Sequence, residues 1–565
     1  MGHRVIRSES TGSLRGTRAT AGCLALIALI ALAGCGGGGG YSGDPADPPA
    51  GPPPPTPPSQ AELFQFLNQA TFGVTEAEGQ SVIDLGFEAW IDRQMQQPAS
   101  LQLPHLRSLP RPQVVAQLQG DRIDVWFRNV LWGPDQLRQR VAFALSEILV
   151  VSQVGALQQA PYSLAGYYDT LAQNAFGNFR DLIEVITLHP AMGVYLSMLG
   201  NQRPDPSRNI RPDENYAREL MQLFTLGLVD LETNGTEKLD AQGDPISTYS
   251  EEVIEGFAHV YTGWTYAGAA NFNQARRNDT NQTVPMQLYP SFHDTGPKTL
   301  LNGVTLPPGQ TGVQDLQDAL DNIFAHANVG PFIATRLIER LVTSNPSPEY
   351  VARVATMFND NGDGVRGDLG AVVKAIFLDA EARSTATSTT SGKLKEPLLR
   401  LTQLWRVYNA RSANGEYRVR SPSAIFGQGP LQSPSVFNFF SPFYAPPGEI
   451  RDAGLVAPEL EIATEYQNTV LTNFFYSQIF RYNSQSPGLR NSDIVINIDE
   501  EVALAADTDA LIDRVADKLL AGQISDTLRT ETRGIVDQTP TTDAAARAAE
   551  AIFFIASSPE FARQH

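Results

Sequence analysis

From residue 60 onward, apolar side chains recur every three to four positions, the spacing that gives a helix one buried face. In "AELFQFLNQATFG" the apolar stripe is Leu63, Phe66, Leu67 and Ala70; in "VIDLGFEAWIDRQMQQP", Trp90 and Ile91 point inward and Pro98 ends the helix. Residues 135–152 make the most hydrophobic helix, and its Arg138, Arg140 and Glu147 need partners if they are buried. Two more helices span 167–200, broken near Gly177 and Pro190. Helices are predicted again over 313–327, 329–342, 348–358, 369–377, 397–408, 459–480, 508–521, 526–536 and 542–557. Between them lie a turn-rich stretch at 232–248 that suits a small hairpin, and a loop with short strands over 265–308. A Pro- and aromatic-rich segment over 420–458 is too apolar for a solvated loop and reads as irregular chain packed on the core. There is no internal repeat and no alternation of strand and helix, so the fold class is mainly α, a multi-helical body.

The segment at 211–228, "RPDENYARELMQLFTLGL", stands out from this pattern. With Asp213 as cap and Gly227 as stop, its polar residues Glu214, Asn215, Arg218, Glu219 and Gln222 fill an arc of roughly 140° on the helical projection, opposite a core face. Glu214–Arg218 and Asn215–Glu219 are i,i+4 pairs that steady a helix wherever they face. The same residues can wall a groove in which Arg218 grips an anion and a carboxylate acts as base.

The amino terminus changes the picture of where the protein works. Arg4, Arg7, Arg15 and Arg18 precede the apolar run "CLALIALIALAG", which is too short to span a bilayer comfortably. It ends in Leu32-Ala33-Gly34-Cys35, which resembles a bacterial lipoprotein signal with Cys35 as the lipidated residue; Gly36 after it favours the outer membrane. Residues 1–35 are therefore expected to be a signal, 36–60 a Gly/Pro-rich tether in extended form, and 61–565 the body, with a possible subdomain break near 384–392. The chain has two cysteines, Cys23 and Cys35, so cleavage and lipidation leave the body without a free thiol. Disulfides, thiolate zinc sites and cysteine nucleophiles are then excluded. The formal charge of -19 over 565 residues argues against binding nucleic acid or bare anionic lipid. Membrane attachment is expected through the lipid alone.

Three further constellations carry candidate chemistry. His293-Asp294 with Lys298, in "FHDTGPKTLLNG", can supply a base and an orienting partner, although neighbours in an extended loop diverge. Glu252, Glu255 and His259 share the polar face of a helix capped by Ser250, at a spacing that can contribute to a metal site. Asn359, Asn361 and Asp363 mimic the opening of a calcium loop whose twelfth position is Gly370 instead of Glu. There is no GxSxG, P-loop, dinucleotide fingerprint or CxxC, and the sequence assigns no cofactor.

Taken together, "FLNQATFG", "LRQRVAFALSEILVVS", "PDENYARELMQLFTLG", "YTGW", "HDTGPKTLL", "PSVFNFFSP" and the terminal "SSPEF" resemble a bacterial family catalogued as domain of unknown function 1800, from about residue 62 to the carboxyl end. The resemblance implies a helical fold, an exported setting and association with a secreted sulfatase-like protein encoded alongside. It also implies His in many members where Phe224 stands and Arg where His259 stands, which counts against a shared metal site at either position. The expected function is that of an outer-membrane lipoprotein whose polar groove, walled by Glu214, Arg218 and Glu219 with His293, Asp294 and Lys298 above, binds or hydrolyses an envelope or extracellular polymer. Any hydrolysis would use carboxylate and His acid–base chemistry. The alternative is a non-catalytic binding or assembly subunit for the sulfatase-like partner.

Overall fold

The helix Gln60–Ala70 opens the body, and Ser59 shows why it starts there: its hydroxyl takes the Glu62 amide while the Glu62 carboxylate takes the Ser59 amide at 2.7 Å. In this computed structural model the described residues are 57–110, 114–385 and 390–564. The signal, Cys35 and the tether through residue 56 lie outside them. From Pro57 onward the described chain clusters into one compact unit.

Helices take up 54% of the described residues and the only paired strands among them are three two-residue antiparallel ladders, which makes the protein mainly α. The main hydrophobic core runs from Leu63 through Trp126, Tyr216, Ile338 and Trp405 to Phe561, and a small second cluster gathers Leu106, Leu118, Tyr162 and Ala165. The last ladder closes the main core: Arg563–Gln564 at the chain end pairs with Lys393–Leu394. The expected hairpin is an irregular one, held by the bridges Val229↔Ser247, Leu231↔Glu237 and Leu239↔Pro245. Over 265–308 the short strands are Trp264–Thr265 with Gln287–Leu288 and Lys298–Thr299 with Thr305–Leu306.

Two differences from the sequence reading matter. The 18-residue helix Val115–Trp132 falls where no helix is predicted, because Gln119, Asp121, Arg122 and Asp124 are buried among its apolar residues and blur the stripe. The 211–228 segment is not a plain α-helix. It runs as α over Asn215–Glu219 and as a π turn over Leu220–Thr225, where Leu226 N–H reaches back to the Met221 carbonyl and the Thr225 hydroxyl to that of Leu220. Asp213 accepts the Asn215 amide at 2.9 Å, and Gly227 ends the element at φ 79°.

The helix Glu251–Val260 organises the surroundings of the polar residues. Gly256 sits against the strand Lys298–Thr299 so closely that a Cβ would lie 1.9 Å from the Thr299 carbonyl oxygen. One end of this helix meets Asn215–Glu219; the other meets the loop that carries Asp294.

Candidate functional site

Glu219 lies at the edge of the predicted polar arc and turns inward: it is 9% exposed, and its Oε2 is enclosed without a hydrogen-bond partner. Burial pushes its carboxyl above the usual range, opposed by the adjacent Arg218. The phenols of Tyr195 and Tyr249 feel its charge. Both rings are half-buried and both hydroxyls are pushed up to about 12, chiefly by burial. The Tyr249 hydroxyl and the neighbouring Thr248 hydroxyl are also enclosed and unpartnered. A carboxyl that favours its proton, with unpaired phenol and hydroxyl groups nearby, can donate or accept hydrogen bonds to a neutral polar ligand.

Glu214 and Arg218 are not free groups beside Glu219. Arg218 bonds Glu214 at 3.0 Å and Glu251 at 2.9 Å, and these partners hold its guanidinium above the usual arginine range. Both bonds fall on Nη2, so two carboxylates already offset the charge that Arg218 would offer an anionic polymer. Asn215 is exposed and Gln222 partly so.

The 293–298 loop re-sorts its expected partners. His293, 1% exposed, places Nε2 2.8 Å from the Asp315 carboxylate and Nδ1 3.0 Å from the Thr262 carbonyl, so neither nitrogen is left for a substrate. Lys298 spends its three N–H groups on Asp315 at 2.7 Å and on the carbonyls of Asp294 and Gly296 at 2.7 and 2.9 Å. These are struts that fasten the loop to the helix Gly312–Ala325, whose first residue must be small because a Cβ on Gly312 would stand 2.9 Å from His293 Nδ1. Asp294 faces away from His293 and pairs with His259 Nδ1 instead. That hydrogen bond holds its carboxyl down to about 2, aided by the Gly296 amide. The Thr262 hydroxyl accepts from Asp294 N–H and donates to the His259 carbonyl. His259 is 30% exposed, and its Nε2 takes part in no hydrogen bond among the described residues. Carboxylate, imidazole and open Nε2 are the parts of a general base.

Arg218 pairs with Glu251 at the start of Glu251–Val260, and His259 stands near the end of that helix, eight residues on, or about 12 Å at 1.5 Å per residue. The metal readings fare poorly. Glu252 accepts from the Thr299 hydroxyl at 3.1 Å, and His259 is committed to Asp294. In the 359–364 turn, Asn361 Oδ1 accepts the amides of Asp363 and Val365, Asn359 Oδ1 is taken by Arg366, and Asp360 accepts from Gly362 and Gly364. Among the described residues no group of three His, Cys, Asp or Glu side chains could hold a metal ion.

A polar network escaped sequence reasoning. At the centre of the fold Gln428 Nε2 bridges Glu147, at 3.0 Å, and Glu396, at 2.5 Å; Lys393 bonds Glu459 at 2.9 Å and Glu396 at 3.3 Å; and Arg140 donates to the Arg340 carbonyl. Burial, with Glu396 beside it, pushes the Glu147 carboxyl well up, whereas Lys393 and the arginines hold Glu396 down against the same burial. The apolar setting of Glu147 announced only that it needed a partner.

One family model matches residues 65–563, nearly the whole body. The chain belongs to the family described as "Protein of unknown function (DUF1800)". No curated protein and no solved structure matches it. Membership of DUF1800 agrees with the helical body and names no reaction, so the chemistry of this member rests on its own side chains. Among the described residues no helix is long and apolar enough to cross a membrane.

Proposed function

We propose that this DUF1800 protein is a lipid-anchored outer-membrane protein whose polar cluster around Glu219 binds an envelope or extracellular polymer. The observation that carries this reading is the Glu219 carboxyl: nine-tenths buried, with one oxygen unpaired and its pKa raised. Because Arg218 is held by Glu214 and Glu251, the matching ligand is a neutral, hydroxyl-rich stretch of polymer. If the polymer is also cleaved, Glu219 is suited to pass its proton to the leaving oxygen. The test is a screen of the full body against purified peptidoglycan and envelope polysaccharides, comparing wild type with Glu219→Gln. Binding by both with turnover only by wild type supports an acid role; equal turnover removes Glu219 from the chemistry.

A second reading is supported by a different observation. Phe437 and Phe443 are 58% and 74% exposed on the irregular segment whose neighbours Phe426 and Phe440 are buried. Arg336 stacks on Phe443 at 5.1 Å. Two exposed phenylalanines without a polar handle suit an apolar protein surface better than a sugar. The partner on this reading is the secreted sulfatase-like protein implied by the family resemblance. Replacing both with Ser should abolish co-purification of that partner without lowering thermal stability; unchanged co-purification rejects it.

A further inference from the structure

Three buried lysines sit in very different company. Lys298 has three oxygen acceptors, one of them a carboxylate. Lys393 has the carboxylates of Glu396 and Glu459 and the carbonyls of Glu339 and Arg340. Lys395, only two residues on and just as buried, has one hydrogen-bond acceptor, the neutral amide oxygen of Gln403 at 2.6 Å, and the face of Phe561 at 4.2 Å. No carboxylate pairs with it among the described residues. Burial and the nearby Arg400 hold its amine well below the usual lysine range, although the Phe561 face favours the cation.

Lys395 also lines a cavity of about 130 Å³, with Phe64, Asn68, Leu519, Leu520 and Arg563 among the other walls. The size compares with the roughly 150 Å³ void that accepts a benzene-sized ligand. The strand Lys393–Leu394 and the Lys395 amide, bonded to the Ala562 carbonyl at 2.7 Å, fix the residue between the chain end and the helix Pro397–Val407. From this contrast and this cavity we infer that Lys395 is a nucleophilic amine that captures a small carbonyl compound as an imine.

In that step the Nζ lone pair attacks the carbonyl carbon and the C=O π pair moves to oxygen. Proton transfer from nitrogen to oxygen gives the carbinolamine. Loss of water, carrying the second amine hydrogen, leaves the C=N bond. No oxidant or reductant is consumed. The site is independent of the Glu219 cluster and stands or falls without it.

The test is reductive trapping on the full chain at pH 7 with acetaldehyde and cyanoborohydride, followed by peptide mapping. Lys395 should be ethylated at least about tenfold faster than Lys374, which is paired with Glu88 and Asp92, because the unprotonated fraction governs the rate. The ratio should shrink as pH rises toward 10 and surface amines lose their protons. Ala61→Trp, which fills the cavity from the helix Gln60–Ala70 without touching Gln403 or Phe561, should remove the preference while leaving circular dichroism unchanged. A folded protein in which Lys374 is ethylated and Lys395 is not overturns the proposal. So does Lys395 labelling that is indifferent to Ala61→Trp.

Discussion

His189 shows how a single side chain can set the response of the protein to acid. Burial pushes its imidazole down to about 3, Nδ1 accepts the Ala191 amide, and Nε2 is enclosed without a partner. The unfolded chain takes up a proton near 6.5 that the folded one refuses. Stability from this group is therefore complete above about pH 6.5 and falls as pH drops toward 3. Between pH 7 and 5 the loss is about 2 kcal/mol. Urea unfolding at the two pH values measures it, and His189→Asn, which keeps a cap for Ala191, should flatten that dependence. Glu147 and Glu396 make the opposite pair of predictions. Glu147 holds its proton, so Glu147→Gln should stay within about 1 kcal/mol of wild type. Glu396 faces Lys393, so Glu396→Gln should lose about 3 kcal/mol or more in the same urea titration.

At the scale of elements, the Glu251–Val260 helix links both polar clusters, and its seating depends on Gly256. Gly256→Ala drives a methyl into the Thr299 carbonyl and should cost about 1–3 kcal/mol, seen as a lowered Tm. It should also shift the His259 imidazole resonances in NMR spectra, because the Asp294 loop is displaced with the strand. This helix was legible in the sequence because Ser250 and a clean apolar stripe mark it. Val115–Trp132 was not, because its buried polar residues answer to distant ones: Arg122 bonds Gln153 and the Pro430 carbonyl, and Asp124 takes the Tyr417 amide. The site divides in the same way. The inward turn of Glu219 lies at the margin of a helical projection that the π turn then breaks. Asp294 had an adjacent histidine in sequence and found a different one in space, since consecutive side chains in extended chain point apart. Local pattern carries periods and caps; it does not carry partners tens or hundreds of residues away.

Over the whole molecule, the separation of functions follows from where groups end up. One continuous core ties the first helix to the last ladder, so the body is one unit that encloses Glu219 and displays Phe437 and Phe443. The expected lipid at Cys35 and the 36–60 tether would give that body reach from the outer membrane. The most direct test of the Glu219 cluster is equilibrium binding of purified envelope polysaccharide and peptidoglycan to wild type and to Glu219→Ala, with Glu214→Ala as the surface control. The account predicts affinity about tenfold weaker or worse for Glu219→Ala and near wild type for Glu214→Ala. Binding by Glu219→Ala at wild-type affinity would contradict it.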